Sequence, residues 1–238
     1  MLVLAIDTCD LRGSVALLRD EAVLGLLAHD SPEDYSSWLL PAVGRALGVC
    51  GLRMEDIGGY AAAAGPGSFT GVRVGLTAIK AWSEVYEKPV AAVSRLEAIA
   101  SLAASSASFV AAFADAQRGQ VFGAVFRRVS EGLERVGEEM VISPGKFAEA
   151  AVELAGSGTI TWVSPDPGCL LGEREWVARA RFNEAIEPVT CVLAPVIGAI
   201  GGRRLAAGQF TDALRLDANY VRRSDAEIFW KGGSAHGS

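Results

Sequence analysis

The stretch GYAAAAGPGSFTGVRVG, residues 59–75, carries the strongest structural signal in the sequence. An apolar run over residues 59–64 predicts a strand, and a loop containing Gly65, Gly67 and Gly71 leads directly into apolar residues at helical spacing. A strand that passes through a short loop into a helix is the unit from which α/β layers are built. The stretch therefore predicts a buried strand that turns tightly into a helix packed on the same sheet.

The flanking sequence extends this layer on both sides. Before and after the glycine loop, the apolar patterns predict strands over 2–6, 14–18, 22–28, 59–64 and 90–93 and helices over 32–50, 71–87 and 94–104. The pattern restarts after the small-residue joint at 105–108, with strands over 109–114, 121–127, 136–142 and 159–163 and a helix over 143–154. We therefore predict an α/β chain with mixed sheets flanked by helices, divided into subdomains 1–105 and 106–231 and a disordered tail, 232–238.

Composition limits the classes of function. Half of the 238 residues are hydrophobic, which is ample for a packed core, and 22 basic against 28 acidic residues give a net charge of −6. That balance disfavours a stand-alone nucleic-acid binder, because phosphate affinity comes mainly from clustered Lys and Arg. Two histidines exclude a His-rich metal cage, four scattered cysteines indicate free thiols, and no apolar run approaches the ~20 residues of a membrane helix. We expect a cytoplasmic protein with no metal, no cofactor and no membrane association.

The glycine loop, Gly65-Pro66-Gly67 to Gly71, has the layout of an anion cradle but lacks both familiar fingerprints. A Walker A loop ends in Gly-Lys-Ser/Thr, whereas Val72 and Arg73 follow Gly71 here, and the dinucleotide motif lacks its third glycine. Three readings stay open: a tight structural turn, an anion site, and a surface shaped for a partner.

A second signal is Asp7-Thr8 at the end of the first strand. In sugar-kinase and actin-type ATPases, an acidic residue there and a hydroxyl-rich turn hold the metal–nucleotide phosphates. Asp10 adds a second carboxylate, which would repel phosphate unless a metal lay between the two. The stretch 115–120, where such an ATPase has its second phosphate loop, contains one glycine. Asp7 and Thr8 therefore indicate a degenerate nucleotide site, with a purely structural role for Asp7 as the alternative.

Five stretches together resemble one family. They are LAIDT at 4–8, LLP at 39–41, GPGSFTGVRVG at 65–75, DAQRGQV at 115–121 and YVRRSDAE at 220–227. This set resembles the TsaB (YeaZ) family of bacterial tRNA threonylcarbamoyladenosine biosynthesis proteins. The string at 65–75 is the most specific of the five. One departure is Cys9, which stands where the family usually has serine.

The resemblance implies a two-domain actin-like (ASKHA) fold without ATPase chemistry. It also implies a non-catalytic scaffold or activator that binds the catalytic subunit TsaD, with the TsaE ATPase as a further partner. TsaD transfers threonylcarbamoyl to adenosine 37 of tRNAs that read codons beginning with A, so this chain would meet tRNA only through the complex. TsaD-type chains have a His-x-x-x-His on the first helix, and residues 34–39 contain no histidine. The alternative is a stand-alone metal-dependent ATPase or protease of the same superfamily.

The predicted partner surface lies on the first two helices of the chain. These helices have more apolar side chains than one sheet face should absorb, which favours an association site. The candidate interface residues are Tyr35, Trp38, Leu39, Val72, Leu76 and Ile79. Without its partner, the chain is expected to form a homodimer through the same surface.

Overall fold

A computed structural model describes residues 1–29, 31, 33–130, 132–180, 184–212, 216, 217 and 219. The first of its two five-stranded sheets has the strand order β3-β2-β1-β4-β5. β1 runs antiparallel to β2 and parallel to β4, so the sheet is mixed. Its strands are β1 (Leu2–Asp7), β2 (Ser14–Arg19), β3 (Ala22–Ala28), β4 (Gly59–Ala63) and β5 (Val90–Val93).

The second sheet is also mixed and has the order β10-β9-β6-β7-β8. β6 pairs with β7 antiparallel and with β9 parallel, as β1 pairs with β2 and β4 in the first sheet. Its strands are β6 (Phe109–Asp115), β7 (Val121–Val129), β8 (Gly132–Ile142), β9 (Ile160–Ser164) and β10 (Ile186–Pro188). The two strands with equivalent pairing, β1 and β6, both end in an aspartate, Asp7 and Asp115.

Seven helices flank the sheets in the part of the chain described. They are α1 (Tyr35–Val49), α2 (Phe69–Tyr86), α3 (Arg95–Ser101), α4 (Pro144–Ala155), α5 (Gly168–Leu171), α6 (Arg174–Ala180) and α7 (Ala194–Ala206). α1 and α2 contact one another and the first sheet, and α3 contacts β6, β7 and β8 of the second. None of the described helices is both long and apolar enough to span a bilayer.

Helix α7 packs on the first sheet although it follows the second in sequence. Its glycines allow a close approach: a Cβ on Gly198 would lie 2.2 Å from Leu18 Cδ1, and one on Gly201 would lie 2.5 Å from Ala61 Cβ. The cluster Gly198, Gly201 and Gly202 thus forms a small-residue packing face.

The α/β fold with two mixed sheets is confirmed, with differences at element ends. α1 begins at Tyr35 rather than at residue 32, because Asp34 is extended and its carbonyl accepts hydrogen bonds from the Ser37 and Trp38 amides. β8 begins at Gly132, four positions before the predicted start, and its pairing with β7 is irregular between Gly123 and Val125. The division at residue 105 stays a prediction, and the tail 232–238 and the motif at 220–227 lie outside the described residues.

Candidate functional site

The β1–β2 turn, residues 8–13, is where the sequence indicated a degenerate nucleotide site. Asp7 and Thr8 are both buried, and within the described residues Asp7 Oδ2 accepts no hydrogen bond. The Cys9 amide donates to Asp7 Oδ1 at 2.9 Å, and the Thr8 hydroxyl donates to the Gly71 carbonyl at 2.7 Å. Asp7 Oδ1 and the Thr8 hydroxyl are therefore engaged with protein atoms rather than open to a phosphate.

The glycine loop lies directly against this turn. The Ser68 amide donates to the Cys9 carbonyl at 2.7 Å. A Cβ on Gly67 would lie 2.2 Å from that same carbonyl oxygen, and one on Gly71 would lie 2.1 Å from the Thr8 carbonyl oxygen. Only Gly65 in the loop has a positive φ, +105°. Of the three readings, the geometry favours a tight structural turn, because Gly67 and Gly71 are required for close packing on the backbone of residues 8 and 9.

Arg95 lies at the centre of the site. Its side chain is 2% exposed, with Nε 3.6 Å from Asp7 Oδ2 and Nη2 2.9 Å from Asp10 Oδ2. The guanidinium thus faces both carboxylates and compensates their charge, which is the arrangement that buried ions require. This is the place where the sequence analysis required a metal ion if phosphate were to bind beside two carboxylates.

Arg12 continues the network to the second sheet. Its Nη2 donates to Asp10 Oδ2 at 2.8 Å and to Asp166 Oδ1 at 2.7 Å. Asp166 follows β9, and its Oδ2 accepts the Asp115 amide at 3.2 Å. Charged groups of alternating sign therefore connect Asp7, at the end of β1, to the end of β6.

The electrostatics follow from burial and from these partners. Burial by itself raises the pKa of the Asp10 carboxyl, but Arg95 and Arg12 outweigh that effect, and the pKa lies below its ordinary value. Burial, together with the charge of Asp7, raises the pKa of the Cys9 thiol well above its usual range. Cys9 is therefore a neutral thiol at physiological pH and is a poor nucleophile. Within the described ranges, no three His, Cys, Asp or Glu side chains form a group that could ligate a metal ion.

Sequence reasoning missed Arg95 and Asp166. Arg95 had a signal, since it is an arginine in the first turn of a helix whose other residues include the apolar Leu96, Ala98 and Ile99. A buried arginine there needs carboxylate partners, and Asp7 and Asp10 were already candidates. Asp166 had no such signal in the sequence, because its role depends on how the second sheet faces the first.

Most of the predicted interface residues are buried within the chain. Trp38, Leu39, Val72, Leu76 and Ile79 are between 0% and 4% exposed, and only Tyr35 is half-buried. Residues 72, 76 and 79 form the stripe with which α2 packs on the sheet, as an amphipathic helix does. The prediction that these five side chains belong to an exposed patch is therefore wrong, because they are buried within the chain.

The outward side of the same two helices forms a largely apolar groove, which we call the α1–α2 groove. It has a volume of about 670 Å³, and the residues that line it include Tyr35, Leu39, Leu40, Phe69, Arg73, Val74, Thr77 and Trp82. Leu40 is 60% exposed and Phe69 is 38% exposed, and the Arg73 guanidinium lies 3.7 Å above the Phe69 ring. Apolar side chains left exposed in a concave surface are typical of an association site.

Comparisons with known proteins agree with this architecture. Residues 23–169 match the family model described as TsaD, tRNA N6-adenosine threonylcarbamoyltransferase. The tRNA threonylcarbamoyladenosine biosynthesis protein TsaB of Escherichia coli is 35% identical over 173 residues, which are 71% of this chain and 72% of that protein. The Bacillus subtilis protein of the same name is 34% identical over 136 residues, which are 57% of this chain and 59% of that protein, so the match spans less than two thirds of that relative.

Solved structures show the same fold. YeaZ from Pseudomonas aeruginosa superposes with a TM-score of 0.70 at 23% identity, covering 92% of this chain and 99% of that one. A second Pseudomonas aeruginosa structure, titled as an uncharacterized protein with similarity to peptidase YEAZ, has a TM-score of 0.73 at 24% identity, covering 93% and 99%.

Proposed function

Because the chain belongs to the TsaB (YeaZ) family, we propose that it takes part in tRNA threonylcarbamoyladenosine biosynthesis as a non-catalytic subunit that binds TsaD. In this proposal it supports the active conformation of TsaD, which transfers threonylcarbamoyl to adenosine 37 of the tRNA. TsaE is the further partner, and tRNA is met only through the complex. The chain alone forms a homodimer.

The observation that carries the non-catalytic role is the position of Arg95. Its guanidinium faces Asp7 and Asp10, with Nη2 2.9 Å from Asp10 Oδ2. A metal–nucleotide complex at this turn would have to displace a cation that is itself buried. Removing one member of a buried ion set leaves an uncompensated charge, at a cost of about 3–5 kcal/mol. The turn is thus better suited to holding the fold together than to binding phosphates.

The α1–α2 groove is the surface that we assign to TsaD. TsaD-like chains share this domain family, so a matching pair of helices on TsaD could pack against α1 and α2. The exposed Leu40 and Phe69 would then become the buried centre of the interface, where apolar and aromatic side chains contribute most of the affinity. The same groove would serve for the homodimer when TsaD is absent.

The test is reconstituted tRNA modification with TsaD and TsaE, with and without this chain. Leu40→Asp places a charge in the groove, and Val49→Asp is the matched control, because Val49 is 87% exposed on the same helix outside it. We expect modification to require the chain, and Leu40→Asp to weaken TsaD binding at least about tenfold, which is roughly 1.4 kcal/mol. Val49→Asp should behave like the unsubstituted chain.

Three results would contradict the proposal. Modification at the full rate without the chain would remove its role in the reaction. Equal TsaD binding by Leu40→Asp and Val49→Asp would place the interface elsewhere. Metal-dependent ATP turnover by the isolated chain would favour the alternative, a stand-alone enzyme.

A further inference from the structure

The β1–β2 turn is in contact with the first residues of both helices that border the α1–α2 groove. On the α1 side, the Tyr35 hydroxyl donates to the Asp10 carbonyl and accepts the Gly13 amide at 2.7 Å. His29 adds a second link, since Nδ1 lies 2.8 Å from the Leu11 carbonyl and Nε2 lies 2.8 Å from the Glu33 carbonyl. These contacts therefore hold the N-terminus of α1 in a set position relative to the turn.

On the α2 side, the turn and the helix start are joined through the backbone. The Ser68 amide donates to the Cys9 carbonyl, and Ser68 is the N-cap of α2. Gly71, in the first turn of α2, lies so close to the Thr8 carbonyl that a Cβ would be 2.1 Å from its oxygen. α2 thus cannot shift at its N-terminus unless the turn moves with it.

The same turn is attached to the second sheet by Arg12. Arg12 Nη2 lies 2.7 Å from Asp166 Oδ1, and Asp166 is held in turn by the Asp115 and Ser164 groups of its own sheet. The Asp166 side chain is 18% exposed, so this ion pair is partly shielded from solvent. Asp166 is therefore held by hydrogen bonds to its own sheet, and the turn is bound to it through the Arg12 ion pair.

We propose that Asp166 is a positioning residue for the α1–α2 groove: through Arg12 it fixes the β1–β2 turn, and the turn fixes the N-termini of α1 and α2. The arrangement of the two sheets and the shape of the groove are then coupled. Because coupling between sites is reciprocal, a partner in the groove would also stabilise the Arg12–Asp166 contact. The part that concerns TsaD rests on the proposed function, whereas the coupling is a property of the free chain.

The first experiment is hydrogen exchange, followed by mass spectrometry, on the full chain with Asp166→Asn. This change removes the charge and keeps the shape. We expect exchange in peptides covering residues 8–13 and 35–40 to be about two- to fivefold faster, the range set by a partly exposed ion pair. Exchange in β4, residues 59–63, should not change, which separates loss of positioning from general destabilisation.

Two further variants make the result decisive. Glu134→Gln is the matched control, because it removes an ion pair with Arg127 that lies wholly within the second sheet. Arg12→Gln removes the other member of the Arg12–Asp166 pair, together with the Arg12–Asp10 pair, and should accelerate exchange at 35–40 at least as much as Asp166→Asn even if the latter folds poorly. Unchanged exchange at 35–40 in both Arg12→Gln and Asp166→Asn would overturn the proposal.

The second experiment is a titration of TsaD with the same variants. Asp166→Asn should weaken binding about two- to fivefold, and Glu134→Gln should not. If exchange accelerates while the affinity for TsaD is unchanged, the coupling does not reach the groove and the inference is wrong. If TsaD fails to bind the unsubstituted chain, the proposed function fails, and the exchange measurement still decides whether Asp166 positions the two helices.

Discussion

The Arg95 guanidinium and the Asp7 carboxylate face each other inside the protein, with Arg95 Nε 3.6 Å from Asp7 Oδ2. The two side chains are 2% and 0% exposed. The separation is too long for a hydrogen bond, so their interaction is mainly the attraction of two charges in a poorly solvated environment. Each ion is held inside the protein by the other, and this makes the pair sensitive to the loss of either member.

Replacing Arg95 should therefore destabilise the protein strongly. In Arg95→Gln, Asp7 loses the cation that faces it, while Asp10 keeps only the more exposed Arg12, and we expect the free energy of unfolding to fall by about 3–5 kcal/mol. Urea denaturation followed by circular dichroism measures the loss. Arg203→Gln, which removes an ion pair with Glu21 that is exposed on both sides, should cost about 1 kcal/mol or less. Equal losses in the two variants would show that the buried Arg95 contributes no more to the free energy of unfolding than the exposed Arg203.

The Asp10 carboxyl should contribute to stability in a pH-dependent manner. Its pKa is lower in the folded chain than in the unfolded chain, so its contribution is complete above the unfolded value, about 3.9, and is lost as the pH falls below that value towards the folded pKa. The free energy of unfolding of the unsubstituted chain should therefore decrease over this range more steeply than that of Asp10→Asn. Parallel curves for the two proteins between pH 6 and pH 2 would contradict this assignment.

The close packing of the glycine loop predicts a steric effect at Gly71. In Gly71→Ala the new methyl would lie 2.1 Å from the Thr8 carbonyl oxygen, so turn and helix must separate, and we expect a loss of about 1–3 kcal/mol in unfolding free energy. Gly44→Ala is the control, because no atom lies within 4 Å of its Cβ position on α1. That change should raise stability by up to about 1 kcal/mol, since alanine favours helices. A neutral Gly71→Ala would mean that the loop is not tightly packed.

The isolated chain should hydrolyse ATP at the background rate in the presence of Mg²⁺. The reason is that Arg95 faces the carboxylates that would hold the metal, and the Thr8 hydroxyl is engaged by the Gly71 carbonyl. Phosphate release from the purified chain is the measurement. A metal-stimulated rate that disappears in Asp7→Ala would establish a catalytic site and would replace the scaffold role.

The strands and helices were predictable where the signal is local. The apolar runs of β1 and β4, the glycine loop and the 3.6-residue stripe of α2 are properties of short stretches, and the structure follows them. α5, α6 and β10 were not predicted, because they are short and their apolar residues show no clear period. The stripe at Val72, Leu76 and Ile79 predicted a helix, which the structure confirms, but periodicity alone does not say whether a stripe faces a sheet or a partner.

The candidate site was only half predictable for the same physical reason. Asp7, Thr8 and the glycine loop were found because they follow strands, where loops meet at one edge of a sheet. Arg95 and Asp166 complete the site through contacts between residues far apart in sequence, from Asp7 to Arg95 and from Arg12 to Asp166. Such contacts are set by the fold as a whole.

The packing of α7 on the first sheet has a consequence for synthesis of the chain. The five strands of that sheet are complete at Val93, but the helix that covers Ala5, Leu18 and Ala61 begins only at Ala194. Ribosomes add about 5–20 residues per second, so this apolar face of the nascent chain stays uncovered for several seconds while the second sheet is synthesised. During that interval it is a surface that chaperones can bind, and it is covered only when α7 has been made and packs on it.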